Sequence, residues 1–461
     1  MATLNTLPSM KNDEDTKPEH PRLSNLDSSA ESIEYPEGGL EAWLVIFGSF
    51  LALFATWGVI NSYGVFHDYY STVLLPNSSS STISLIGALQ LFFLYGFSPV
   101  VGRIFDLYGS RILLPLGSII TVISLMLLSL CQVNQTYQFF LADGLLFGIG
   151  ATLVFTPAVA VAGHWFNKKR PLAIGVMATG SSVGGVVCPI ILQRLIPKVG
   201  FGWAVRVMAF VVLGCLILSC VTIKTRLLPR SRLGLVDVGA AGAGVGVREA
   251  GGEGQKGAWR SGLVDLTGFK DPKFCLACAA TFILFYVLFI PFFYIEAYAK
   301  YRQVDSTISQ YVVAIMNGAA ILRLSLCFLA VKYGTVNIIV PSILVSGILV
   351  LAVWLPSRGA VPIAVFGSLY AIFSGVFITL LPAWIGAMST TERFGGRVGC
   401  VWFFAAVASL VGTPTAGAFV KDREHPGYNS LMLFTGVMFL GGSVILVIAR
   451  ILHSRRLWYK I

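Results

Sequence analysis

Twelve runs of apolar residues, each long enough to cross a bilayer as an α-helix, lie along the chain between short polar breaks. A spanning helix needs about 20 such residues. The runs are 42–66, 82–103, 111–131, 137–164, 170–193 and 203–223, then 274–298, 307–331, 337–355, 360–387, 396–420 and 429–452. The predicted fold class is therefore an all-α membrane protein with twelve transmembrane helices, six before a long polar connection and six after it. Residues 1–40, rich in Ser, Pro, Asp and Glu, lack the apolar core of a signal peptide and read as a disordered tail. The expected organisation is this tail, a first set of helices over 41–223, a linker over 224–272, a second set over 273–452 and a short tail over 453–461.

Composition strengthens this reading. Of 461 residues only 12% are charged, and mean hydropathy is +0.78. A water-soluble chain this apolar could not cover its own surface, whereas lipid-facing side chains need no polarity. The net charge of +11 does not point to nucleic acid, because the basic residues sit in short patches between apolar runs rather than on one polar domain. With the N-terminus placed inside, 24 of the 33 Lys and Arg residues fall in inner segments or the linker and 8 in outer ones. Both termini are thus expected to be cytoplasmic. The sequons at Asn77 and Asn134 then fall outside, as candidate glycosylation sites. Plasma membrane is the expected location.

Other features suggest chemistry but lack its context. The linker string Gly239-Ala-Ala-Gly-Ala-Gly-Val-Gly246 has no strand before it and no GK[ST] after it, so it reads as a flexible connection and not a nucleotide site. Cys275 and Cys278 form a lone CxxC without a second pair, and no cofactor or metal is expected. Five histidines without catalytic spacing argue against an enzyme.

The polar residues with mechanistic potential are few. Between the second and third runs lies Gly102-Arg-Ile-Phe-Asp106-Leu-Tyr-Gly109-Ser-Arg111. Here Gly102 permits close helix approach, Gly109 a tight turn, and Asp106 with Arg103 and Arg111 a charge lock that forms in one state and breaks in another. An ordinary charged turn is the competing reading. Arg323 lies about 10 Å into the eighth run at 1.5 Å per residue. A charge at that depth costs roughly 3 kcal/mol, so it is expected to face a cavity or a partner, with snorkelling as the alternative. Gly180, Gly184 and Gly185 let helices approach closely, and Pro157, Pro189, Pro382 and Pro414 supply kinks. Asp143 and Glu296 sit near the outer ends of their helices and read as interfacial and water-exposed, with Lys300 a candidate i,i+4 partner of Glu296. His67 and His164 sit at helix ends, with substrate or proton roles as the minor alternative. Tyr63, Tyr286, Tyr294, Tyr370 and Trp402 are candidate cavity aromatics.

The GxxxDxxGxR turn and the six-plus-six plan resemble the major facilitator superfamily. Further stretches resemble its monocarboxylate porter family, fungal branch: Glu37-Gly-Gly-Leu-Glu-Ala-Trp43, Asn61-Ser-Tyr-Gly-Val-Phe66, His164 through Gly175, Gly180 through Pro189, and Gly395-Gly-Arg397-Val-Gly399 through Gly417. The resemblance implies two six-helix bundles around a central cavity and transport by alternating access. It also implies that Arg323 meets a substrate carboxylate through its bidentate fork, and Asn61, at a position where animal relatives carry a lysine, is the second candidate substrate contact. Arg397 belongs to the expected gating set. Ala319 stands where those relatives carry an aspartate and Asn61 where they carry the lysine, so the familiar proton-coupling pair is absent. Val331 stands where the second-half turn would have an acid, so the first-half gate is expected to dominate.

These features predict a secondary transporter of a small organic solute, anionic by the Arg323 argument, with a coupled proton among its candidate partners and the lipid bilayer as its solvent. Efflux of an organic acid or secondary metabolite is the leading reading. Uptake of a monocarboxylate or riboflavin-like vitamin is the alternative, and a non-transporting membrane receptor is the alternative of another class.

Overall fold

The computed structural model describes residues 36–166, 170–226, 266–388, 394–420 and 427–453. Expectations for the first 35 residues, for linker positions 227–265, for Lys168, Lys169 and Arg393, for residues 454–461 and for the Asp106 side chain lie outside the described residues.

Within them, eleven apolar helical stretches are long enough to span a bilayer. One of these, Leu172–Thr222, has 51 residues and would be far too long for a single crossing. It is divided at Gly200, whose φ of 78° is outside the helical region. Counting both pieces gives twelve spans. In chain order they are α1 (Leu40–Leu74), α2 (Ser80–Gly96 continued by Ser98–Tyr108), α3 (Ser110–Leu128), α4 (Thr136–Trp165), α5 (170–199) and α6 (201–222). The second set is α7 (Pro272–Tyr301), α8 (Ser306–Ala320 continued by Arg323–Tyr333), α9 (Thr335–Trp354), α10 (Ala360–Ala387), α11 (Phe394–Phe419) and α12 (Tyr428–His453). The expected break between the fifth and sixth runs shrinks to this one glycine because helix continues through Pro197.

Two turns repeat between the halves. Gly109 joins α2 to α3 at φ 74°, and Gly334 joins α8 to α9 at φ 97°. Both stand in the left-handed region that only glycine enters cheaply. Each is at once the end of one helix and the cap of the next, so a single residue reverses the chain. The face bearing these turns is called the glycine-turn face below. The opposite face, carrying Asn77 and Asn134, is called the sequon face.

In lipid no hydrophobic force drives helices together, so close packing on small residues must serve. A Cβ at Gly180 would stand 2.1 Å from the Phe50 carbonyl oxygen, and one at Gly184 2.5 Å from that of Phe54, so α5 lies directly on the backbone of α1. Gly412 places α11 equally close to α7, where a Cβ would meet the Tyr286 carbonyl oxygen at 1.8 Å. Gly102 is different. A Cβ there would make an ordinary 3.7 Å contact with Thr156, so close approach does not require this glycine. Pro157, Pro189, Pro382 and Pro414 all lie inside helices.

Among the described residues the two sets of six meet along several pairs of helices. Along α2 and α11, Tyr95 stacks on Trp402 at 4.7 Å, and a Cβ on Gly417 would meet the Ser81 backbone at 2.8 Å. Along α5 and α8, Gly185 faces Asn317 and Gly175 faces Leu324. Along α1 and α7, Tyr63 packs on Phe293 at 5.0 Å.

Gly412→Val should lose roughly 1–3 kcal/mol of stability, because a carbonyl of α7 cannot yield to the added atoms. Gly214→Ala, with nothing within 4 Å of the new Cβ, should be neutral or gain up to about 1 kcal/mol from helix propensity. Thermal unfolding of the solubilised protein separates the two, and equal effects would refute the packing argument.

Candidate functional site

Helix α8 breaks at Ile321–Leu322, and Arg323 is the first residue of its second piece. The break turns the side chain into the seam between the two helix sets. Its Nη2 donates to the Ser181 hydroxyl at 3.0 Å and to the Ala178 carbonyl at 3.2 Å, both on α5. On the other side it lies against α10, where a Cβ on Gly375 would stand 2.9 Å from Nη1. Hydrogen bonds from a charged donor contribute about 1.5–3 kcal/mol, the same order as the roughly 3 kcal/mol cost of the charge at this depth. Among the described residues this half-buried guanidinium meets one hydroxyl and one carbonyl, and no carboxylate.

Asn61 reaches the same place from α1. Its Nδ2 donates to the Ser181 carbonyl at 3.4 Å. The two residues singled out as substrate contacts, from helices far apart in sequence, thus converge on one serine of α5. Ser181 follows Gly180 in the small-residue row, and its polarity is the signal that packing alone leaves unused.

A second group near this point carried no sequence expectation. Tyr95 on α2 is buried, and its hydroxyl has no hydrogen-bond partner among the described residues. The Arg323 charge acts on that hydroxyl, and Trp57, Phe285 and Trp402 surround the ring. Of the five aromatics expected to line a cavity, Trp402 alone joins this cluster. Tyr63 donates to the Ile83 carbonyl, Tyr370 to the Leu288 carbonyl at 2.7 Å, and the Tyr286 hydroxyl meets that of Thr415 at 2.8 Å. Those three hydroxyls serve helix packing. Tyr294 belongs to the sequon face.

There the structure corrects two readings. Asp143 and Glu296 are 0% and 3% exposed, not water-exposed. Asp143 stands in a π-helical stretch of α4, Phe140–Leu146, and accepts from Tyr70 at 3.0 Å and Gln90 at 2.7 Å. Such stretches re-aim side chains and leave room for one more group in the turn. Glu296 meets Lys300 at 3.1 Å, the expected i,i+4 pair, and Lys300 also reaches across the seam to Asp68 of α1 at 2.7 Å. His67 is buried beside the Ser84 hydroxyl at 3.2 Å. His164 packs on Phe105 at 5.4 Å.

The gating candidates lie on the glycine-turn face. Arg103 is half-buried, Arg111 is exposed, and Gly109 makes the turn described above. Arg397 donates to the Met388 carbonyl at 2.6 Å and lies over the Phe274 ring, bridging α11, α7 and the end of α10. Gly185 is the glycine whose absent side chain makes room for Asn317 of α8, and Pro189 is buried one turn further on. Asn77 and Asn134 are both exposed, and their side chains meet at 3.5 Å.

The chain matches the Major Facilitator Superfamily over residues 42–356. It is 38% identical to MFS transporter asaE of Aspergillus flavus over 420 residues, covering 91% of this chain and 89% of that one. It is 35% identical to the Fujikurins efflux protein of Gibberella fujikuroi, covering 91% and 85%. A solved structure of the nucleoside transporter NupG, in a point-mutant form, superposes with a TM-score of 0.66 at 13% identity, over 89% of this chain and 99% of that one. That likeness speaks to fold alone.

Proposed function

The chain belongs to the Major Facilitator Superfamily as a multi-pass membrane transporter, and we propose that it exports a small organic acid or secondary metabolite by alternating access. The observation that carries the cargo class is the convergence of Arg323 and Asn61 on Ser181. In the closed seam the guanidinium is held by weak neutral acceptors of α5. A carboxylate or other anion on the cargo is a better partner, because it adds attraction between opposite charges and can take both arms of the guanidinium fork at once. Cargo binding would therefore exchange a contact between the halves for a contact with cargo. The Tyr95 hydroxyl, buried with no hydrogen-bond partner among the described residues, gives the cargo a second polar anchor, and Trp57 and Trp402 give its apolar body a surface.

Export rather than uptake is favoured by relatives whose names state efflux, the Fujikurins efflux protein among them. The monocarboxylate porter family is the proposed placement within the superfamily, on the strength of the segments around Asn61, Gly180 and Gly412. The proposed setting is the plasma membrane with both termini inside, which puts the sequon face outside. Asn77 and Asn134 are then open to glycosylation, and the two are close enough to hinder each other.

On the inner face Asp106, with Arg103 and Arg111, is the proposed lock. Asp106→Asn should shift the balance towards the inward-open state, read as faster labelling of single cysteines near Gly175 from the inside. An unchanged labelling pattern would reject the lock.

The export reading is tested by untargeted mass spectrometry of cells and medium from a host with and without the gene. A compound retained in the deletion strain and missing from its medium supports export and names the cargo. A compound left in the medium and depleted in the cells would reverse the direction and favour uptake of a monocarboxylate or vitamin.

A further inference from the structure

Asp68, Glu296 and Lys300 form a charged cluster at the outer end of the seam, and they come from both halves. Lys300 of α7 binds Asp68 of α1 at 2.7 Å and Glu296 of its own helix at 3.1 Å. The two ends of the cluster differ. Asp68 and Lys300 have side chains 32% and 38% exposed, whereas the Glu296 side chain is 4% exposed. One carboxylate oxygen of Glu296, Oε1, takes the lysine. The other, Oε2, has no hydrogen-bond partner among the described residues. It faces α1 at Gly64, where even a Cβ would stand 3.9 Å away.

We propose that Glu296 is a proton-binding site, and that a proton taken there from the outer solution closes the outer face of the transporter. The proposal rests on the transport reading above and deepens it by naming an ion that controls the outer face and where that ion binds and leaves, from and to the outer solution. It is independent of the helix 8 aspartate and helix 1 lysine, whose positions hold Ala319 and Asn61 here.

The argument is one of charge count and burial. Two carboxylates share a single ammonium, so the closed cluster carries one excess negative charge when all three groups are ionised. An ionised oxygen buried without a donor costs several kcal/mol. Two events remove that cost: a proton adds to Oε2, or the halves separate and water reaches the carboxylate. Protonation therefore belongs with the closed outer face and ionisation with the open one. The lysine acts in the same direction. With Glu296 neutral, Lys300 is committed to Asp68 and ties α7 to α1. With Glu296 ionised, Lys300 keeps a partner on its own helix when Asp68 moves away. The closed state binds the proton, so closure strengthens as pH falls and weakens as it rises. No bond other than the added O–H forms, and the proton comes from water on the outer side.

Other titratable groups face elsewhere. Lys300 and Asp68 are the charged groups that act on Glu296, with none from α8, α10 or α11 among the described residues. His67 of α1 turns to the Ser84 hydroxyl, Tyr294 of α7 turns to Ser84 and the Thr413 carbonyl, and Arg302 turns to the Tyr298 hydroxyl at 3.0 Å.

Hydrogen–deuterium exchange on the full chain in lipid nanodiscs tests this without any cargo. Peptides covering residues 63–74 and 290–301 are followed at mildly acid and mildly alkaline pH, corrected for intrinsic exchange. In the wild type, exchange should slow on acidification, by at most about tenfold per pH unit for one proton. Glu296→Gln should be slow at both pH values. Glu296→Asp should keep the pH dependence, and Asp68→Asn should exchange fast at both. A Glu296→Gln protein that retains the wild-type pH dependence would overturn the proposal and move the proton to His67 or another group. Should that variant not fold, an Asp68→Asn protein with undiminished protection at acid pH would overturn it equally. A cargo retained in the deletion strain beside a failed exchange test would sink the proton site alone, and the converse would sink the export reading alone.

Discussion

An arginine inside a bilayer must be given partners, and this chain supplies them from the opposite half of the molecule. Arg323 sits just past a break in α8, lies against the bare backbone position Gly375, and donates into α5. Its placement costs roughly 3 kcal/mol if unsatisfied, so whatever partner it takes decides which helices stay together. In the closed seam that partner is a serine hydroxyl and a carbonyl. Both are acceptors that an anion can outcompete, so on the proposed reading one and the same guanidinium binds the cargo and loosens the seam.

The rest of the seam is consistent with parts that must separate. Its apolar contacts rest on small residues and stacked rings, such as Gly185 on Asn317 and Tyr95 on Trp402, which come apart without leaving large voids. Within the first half α5 is seated on the α1 backbone at Gly180 and Gly184. Polar ties across the seam sit at different depths: Arg323 midway, and Lys300 with Asp68 at the sequon face. A rocking motion of one half against the other would break the second while the first is exchanged for cargo.

Much of this is legible in the chain itself. Twelve spans follow from hydropathy, because lipid forces each backbone polar group into a helix, and Gly109 announces its turn. Arg323 and Asn61 are visible as polar residues in apolar runs, although their meeting at Ser181 is not, since nothing in local spacing relates α1, α5 and α8. The burial of Asp143 and Glu296 is hidden for a related reason. Nearness to a helix end suggests water, but here π-helical stretches and the closing of α1 on α7 cover those ends. Gly102 misleads in the opposite direction: a glycine invites a close-contact explanation that its 3.7 Å neighbour does not support. Tyr95 escapes a reading of the sequence because a lone tyrosine among phenylalanines looks like packing until its hydroxyl is seen to lack a partner among the described residues.

The central claim is that Arg323 holds an anionic group of the cargo. The most direct measurement is efflux of the cargo by Arg323→Ala and Arg323→Lys proteins, normalised to their abundance in the membrane. The account predicts at least about a tenfold loss for alanine, equivalent to about 1.4 kcal/mol or more of lost interaction. Lysine should fall between, because it keeps the charge and loses the fork. An alanine variant that exports at the wild-type rate from an equal amount of protein would contradict it.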